Sequence, residues 1–230
     1  MLSVDKSSRF DFDAVADKYD KWYETTEGAM YDYLEKKVVS RYLRQNAQGR
    51  KLLEVGCGTG HWSKFFSDNG FAVTGVDVSE RMIKTAQSKN IANTSFQIAD
   101  GHSLPFGDNS FDVTAAITTL EFAGNAELVL QEMARCTRKP SGQLLVGVLN
   151  VLAGLNHNRQ ENPESLYAKA RLFSPGQLKK LLGKYGKTKV CTVGFIPRWK
   201  RLLPLSPFID AVGRFLHLPY GVFIAGQVRL

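Results

Sequence analysis

The stretch Leu52-Leu53-Glu54-Val55-Gly56-Cys57-Gly58-Thr59-Gly60 sets glycines at alternate positions directly after an apolar run. The run reads as a buried strand, and the glycines permit a tight turn with no Cβ to hold a ligand away from the backbone. The helix-compatible segment from His61 to Asn69 then opens its N-terminal amides beside whatever binds. Just beyond Gly70, Phe71 to Ser79 reads as a second strand with Asp77 at its carboxyl end. An aspartate there can accept hydrogen bonds from both hydroxyls of a ribose and repels a 2′-phosphate. The dinucleotide fingerprint G-x-G-x-x-G would need its third glycine at position 61, which is His61, so that spacing misses. The four histidines, His61, His102, His157 and His217, and the acid Glu121 are the groups that could move a proton near neutral pH.

The elements that must position these residues alternate from Arg50 onward. The pattern predicts strands over 51–56, 72–77, 94–99, 111–117 and 142–149, with helices over 61–69, 79–88 and 125–138. Such alternation implies right-handed crossovers and a parallel sheet, whose ligands bind beyond the carboxyl ends of the strands. The segment 54–60, Asp77, Asp100 and Thr118 all fall at such ends and should converge on one crevice. Residues 150–172 read as an insertion rich in Asn and charge. Ser174-Pro175 opens a further helix, and strands over 188–195 and 221–228 flank a segment interrupted by prolines 197, 204, 207 and 219.

The pattern E-x-G-x-G-x-G at 54–60 resembles motif I of the class I S-adenosylmethionine-dependent methyltransferases. The likeness continues in order through Asp77, through Asp100-Gly101-His102, and through the strand and loop from Phe111 to Phe122. The resemblance implies an α/β, Rossmann-like sheet of seven mostly parallel strands, helices on both faces, and a last strand reversed into a hairpin with the sixth. It implies one domain over 1–230: an N-terminal helical lid (1–48), a cofactor-binding core (49–149), and substrate-side insertions with C-terminal strands (150–230). The cofactor it implies is S-adenosylmethionine, with S-adenosylhomocysteine as product. The residues expected to hold it are Tyr19, Glu54, Gly56, Cys57, Gly58, Gly60, Asp77, Val78, Met82, Asp100, Gly101, His102 and Thr118, with Asp100 facing the adenine amine and the pair Tyr19-Asp20 matching a feature of the family's lid. The nearest branch is the small-molecule, quinone-methyltransferase-like one.

Methyl transfer from a sulfonium is an in-line displacement whose donor is already activated, so alignment and desolvation can supply much of the rate. A base is needed only where the acceptor must lose a proton. His157, in the insertion expected to cover the acceptor, ranks first, with Glu121 after the fourth strand as the other candidate. No N-P-P-Y or D-P-P-Y signature follows that strand, which lowers amide and nucleobase-amine acceptors relative to carbon, oxygen or sulfur. Cys57, Cys136 and Cys191 carry no metal-type spacing, and Cys57 reads as a compact residue beneath the cofactor, so no metal is expected.

The net charge of +8 is unevenly spread. Residues 1–164 hold 18 Lys and Arg against 21 Asp and Glu, whereas residues 165–230 hold 12 against the single acid Asp210. This basic part, including Lys169, Arg171, Lys179, Lys180, Lys184, Lys187, Lys189, Arg198, Lys200 and Arg201, suits a solvated surface, nucleic acid or an anionic membrane. Aromatic residues such as Trp22, Tyr23, Tyr167, Phe195 and Trp199, interspersed with cations, favour a small hydrophobic or anionic acceptor. The competing readings are a nucleic-acid-directed enzyme, a non-catalytic cofactor-binding adaptor, and peripheral membrane contact over Phe208–His217. Nucleic acid is disfavoured because no recognised binding motif accompanies the charge. The opening residues Met1–Phe10 lack the apolar core of a signal peptide, and the expected location is the cytoplasm.

Overall fold

The computed structural model describes residues 10–43, 48–163, 165–197 and 199–230. Met1 to Arg9 of the opening segment, Arg198, and the side chain of Lys200 lie outside the described residues.

Two N-terminal helices, α1 (Lys21–Glu24) and α2 (Thr26–Tyr42), precede the alternating core. The core runs β1 (Lys51–Val55), α3 (His61–Asp68), β2 (Ala72–Asp77), α4 (Glu80–Ser88), β3 (Thr94–Ile98), β4 (Val113–Ile117), α5 (Ala126–Cys136) and β5 (Gln143–Leu149). Then come α6 (Gly154–Glu161), α7 (Pro175–Leu182), β6 (Lys187–Val193), α8 (Ser206–Phe215) and β7 (Phe223–Arg229). The sheet has seven strands in the order β3-β2-β1-β4-β5-β7-β6. Its first five strands are mutually parallel, and β7 is antiparallel to both β5 and β6. Strand order reverses between β1 and β4, where the connections diverge and leave a crevice at the carboxyl ends.

The composition of each strand follows its place in the sheet. β4 and β5 are buried along their whole lengths and read as unbroken runs, because helices cover both faces. Neighbouring residues therefore enter different cores: Leu53 packs with α5 and α7, Leu52 with α2 and α3. The edge strands β3 and β6 are more exposed, and lysines at 187 and 189 blunt the β6 edge. Predicted helix starts shift inward because Ser79 and Asn125 are caps in extended conformation, their side chains accepting from Met82 N–H and from Glu127 and Leu128 N–H. The fourth strand likewise begins at Val113, with Phe111 making only an isolated bridge to Thr137.

The insertion over 150–172 is riveted by its asparagines. Buried Asn150 donates to the carbonyls of Pro219 and Gly221, and buried Asn156 to those of Asn150 and Val222. Among the described residues no helix is long and apolar enough to cross a membrane.

Gly147 on β5 has no room for a side chain, since a Cβ there would lie 2.2 Å from Cζ of the fully buried Phe223. Gly147→Ala should lower the unfolding free energy by about 1–3 kcal/mol, the usual cost of overpacking, as read from urea unfolding curves with unchanged slope.

Candidate active site

The turn after β1 is anchored before it meets any ligand. Gly56 and Cys57 both donate backbone N–H to Val76 O at 2.8 and 3.0 Å, and Gly56, Gly58 and Gly60 all have positive φ. A Cβ on Gly56 would strike Thr119 at 2.2 Å, whereas one on Gly58 would meet nothing within 4 Å and project into open space. That space is a cavity of roughly 850 Å³ counting its open mouth. Its walls include Tyr19, Glu54, Gly56, Cys57, Gly58, Asp77, Val78, Met82, Asp100, Gly101, His102 and Thr118. Gly60 stands behind the wall as the N-terminal cap of α3, packed near Ile91 and Phe96.

Asp77 ties two turns together. Its Oδ2 accepts from Gly58 N–H and its Oδ1 from Ser79 N–H, each at 2.9 Å. Burial raises its carboxyl above the ordinary range while the backbone amides of Ser79, Gly58 and Val78 pull it back, and the carboxylate keeps acceptor capacity for a further donor. Glu54 is buried, accepts from Ser63 Oγ–H, and is pushed up to about 8 by burial. At the opposite wall His102 Nε2 accepts from Asn125 N–H at 3.0 Å, which leaves the proton on Nδ1 to meet Asp100 Oδ1 at 2.6 Å. This histidine is thus held as an orienting group for Asp100.

A roof from the N-terminal segment closes over these walls through its acids. Asp11 caps a short 3-10 turn, Asp13 accepts from Ser79 Oγ–H, Asp17 pairs with Arg81, and Asp20 accepts from Thr59 Oγ–H and Lys89. Phe12 meets Phe122 edge-on with centroids 4.9 Å apart, and Tyr23 lies flat on His61 at 3.6 Å. Tyr19 lines the cavity with Thr118, and burial holds its phenol well above the usual range. Thr118 itself has φ +50, a costly conformation for a β-branched residue at the end of β4.

The two base candidates lie elsewhere. His157 is exposed on α6, 3.1 Å from Glu161, and does not line the cavity. Glu121 is fully buried behind the wall, with Oε1 accepting from Leu149 N–H at 2.6 Å and Oε2 lacking a protein partner. Burial pushes it up to about 8. Sequence reasoning missed the cluster beneath Tyr23, where Asp32 accepts from Lys36 and meets His61 Nε2 at 2.7 Å. Burial raises the Asp32 carboxyl, but the hydrogen bonds from His61 and Lys36 outweigh it and hold it below its ordinary value. Its neighbour Glu35, half-buried, is pushed up to about 8 by desolvation and by the charge of Asp32. Spacing three and four residues along α2 was the available signal, though only the tertiary approach of α3 gives it meaning.

With this geometry in hand, the chain can be set beside known proteins. The family described as "Methyltransferase domain" matches residues 53–146. An uncharacterized protein of Methanocaldococcus jannaschii is 30% identical over 177 residues, 76% of this chain and 80% of that protein. The demethylmenaquinone methyltransferase of Tropheryma whipplei is 37% identical over 100 residues, 43% of this chain, which spans only 41% of that enzyme's length. A solved S-adenosylmethionine-dependent methyltransferase of Thermotoga maritima, described as a possible histamine N-methyltransferase, superposes with a TM-score of 0.73. It covers 95% of this chain and 97% of its own at 23% identity, a likeness of fold. The chain belongs to the class I S-adenosylmethionine-dependent methyltransferases, and S-adenosylmethionine is its cofactor. The open cradle at Gly58 and the remaining lone pairs of Asp77 fit a nucleoside.

Two outcomes follow. Asp77→Ala removes the acceptor that holds the amides of Gly58 and Ser79 at the cavity wall, and should weaken S-adenosylhomocysteine binding by about tenfold to a hundredfold in calorimetric titration. For Glu121 the folded state holds its proton above the unfolded value of 4.5. Its contribution to stability is therefore full below that value and is lost as pH rises through about 8. Glu121→Gln should lose less unfolding free energy than the wild type between about pH 6 and about pH 8.5, measured by urea unfolding.

Proposed function

We propose that this methyltransferase acts on a small hydrophobic acceptor carrying a polar or anionic head, and that the cavity residues named above hold the cofactor. One observation carries the acceptor reading. Arg159 of α6 lies over the ring of Trp22 at 4.9 Å and of Tyr167 at 5.2 Å, and Tyr167 in turn meets Phe122 of the cavity wall with centroids 6.1 Å apart. Only Nη1 of this guanidinium is engaged in the plane, by Asn156 Oδ1 at 3.4 Å, so the group keeps in-plane N–H donors for a carbonyl, phenolate or carboxylate, while the rings suit an apolar body. The N-terminal roof argues against entry by a macromolecule, because Asp13, Asp17 and Asp20 hold it on the core. The relative that acts on demethylmenaquinone makes quinone-type rings the first acceptors to try.

Bound in this cavity, S-adenosylmethionine supplies an activated methyl group on a sulfonium. The chain's part is then alignment and exclusion of water, which Phe12, Tyr19, Tyr23 and Phe122 perform as an aromatic enclosure. Buried Glu54 places negative potential at the cradle, favourable to a cationic ligand once it is ionised. No dedicated base is required for an acceptor that reaches the cavity already ionised, and neither His157 nor Glu121 touches that space.

Labelled S-adenosylmethionine incubated with the protein and a cell extract should place label in organic-extractable small molecules. Label confined to nucleic acid or protein would overturn this reading, as would none above a Gly58→Val control. Arg159→Ala should raise the acceptor KM by about tenfold, matching one lost cation contact, and leave S-adenosylhomocysteine affinity unchanged.

A further inference from the structure

Helix α8 has its burial reversed. Its inward positions are Ser206, Asp210 and Gly213, all buried, while its large side chains point outward. Phe208 is 72% exposed and Phe215 80%, with Val212 between them and Leu205 and Leu216 at either end. Spacings of four and three residues put Phe208, Val212 and Phe215 on one stripe. Trp199, 74% exposed, stands just before the segment.

The orientation is pinned. Asp210 accepts from Gly194 N–H at 2.8 Å through Oδ1 and from Arg214 Nε–H at 2.7 Å through Oδ2. Gly213 sits so close to Phe195 that a Cβ would be 2.7 Å from its ring. The helix therefore cannot roll its phenylalanines inward without leaving a carboxylate unpaired and forcing a clash. Something other than this chain's own core must take them up.

Charge identifies what that is. Asp210 is the single acid of residues 165–230, and it is buried against Arg214, so it contributes no exposed negative charge. Alternation along β6 puts Lys187 and Lys189 on the same face as Cys191, which packs into the α2 layer where α8 lies. Arg41 at the end of α2 and Arg201 just before α8 are exposed as well. A short helix with a crest of aromatic and aliphatic side chains, with lysines along the neighbouring β6 edge and the acids Glu24 and Glu27 confined to the hollow that Ile209 lines, matches an anionic bilayer interface. At about 15 Å its ten residues cannot span the hydrocarbon but can lie along it.

We propose that the face bearing α8 docks on anionic lipid membranes, with Phe208, Val212, Phe215 and Trp199 entering the interface and Lys187, Lys189, Arg41 and Arg201 facing lipid phosphates. This docking is independent of which acceptor is methylated. The test is flotation of the full chain with phosphatidylcholine vesicles containing about 30% phosphatidylglycerol, against phosphatidylcholine alone. The wild type should partition about tenfold or more in favour of the anionic vesicles, and less so at high salt. Phe208→Ser with Phe215→Ser should weaken that partition by about tenfold or more while S-adenosylhomocysteine affinity stays unchanged, showing the fold intact. Lys187→Glu with Lys189→Glu should weaken it through charge alone. Equal binding to both vesicle types, or binding indifferent to both double variants, would overturn the proposal. So would a dimer in gel filtration that the phenylalanine variant abolishes, or retention on RNA without retention on vesicles.

Discussion

The carboxylate of Asp77 is the constraint on which the rest of the site depends. It receives one amide from the glycine turn after β1 and one from the start of the α4 connection after β2. Two loops that would otherwise move separately are joined at the point where strand order reverses. The cradle at Gly58 stays open because those hydrogen bonds hold its backbone at positive φ facing the cavity. The same oxygens that shape the protein face the cavity with acceptor capacity left over, so in the proposed reading preorganisation and recognition share one group.

Around that joint the molecule uses burial to set charge. Glu54, Glu35 and Glu121 are all pushed up to about 8 by desolvation, so the region around the cavity is rich in carboxyl groups that hold protons longer than exposed acids do. The acids of the N-terminal roof behave differently. Asp13, Asp17 and Asp20 sit nearer the surface and find donors on α4 and the glycine turn, which makes them fasteners. Identical side-chain chemistry thus serves two ends, decided by how much water each carboxylate loses and which donors it gains.

The core was legible in the sequence because its signals are local. Alternation of strand and helix, glycines at 56, 58 and 60, and an aspartate ending β2 are each consequences of backbone geometry within a few residues. The cavity gathers nearly all of the residues read as cofactor contacts, with Gly60 standing behind them. What was not legible depends on approach between distant segments. Nothing near Asp13 or Asp20 announces Ser79 or Thr59 as a partner, and Asp32 acquires its role only when α3 carries His61 onto it. His157 illustrates the opposite error, a chemically suitable residue on a suitable insertion whose helix turns it to solvent beside Glu161.

That asymmetry has a chemical origin. A donor activated by its own positive charge demands a fixed nucleoside site but no fixed proton-transfer group, so alignment and dryness suffice on the acceptor side. Selection can then keep strand ends and turns constant while remodelling α1, the 150–172 insertion and the connection between β6 and β7. These are the segments in which this chain has placed its less typical features: Arg159 between two aromatic rings, asparagines used as rivets, and a helix that buries an aspartate and exposes phenylalanines. A helix inverted in that way would be a liability on a surface meant only for water. Its hydrogen bonds to Gly194 and Arg214 fix the inversion beside β6, the edge strand that carries Lys187 and Lys189.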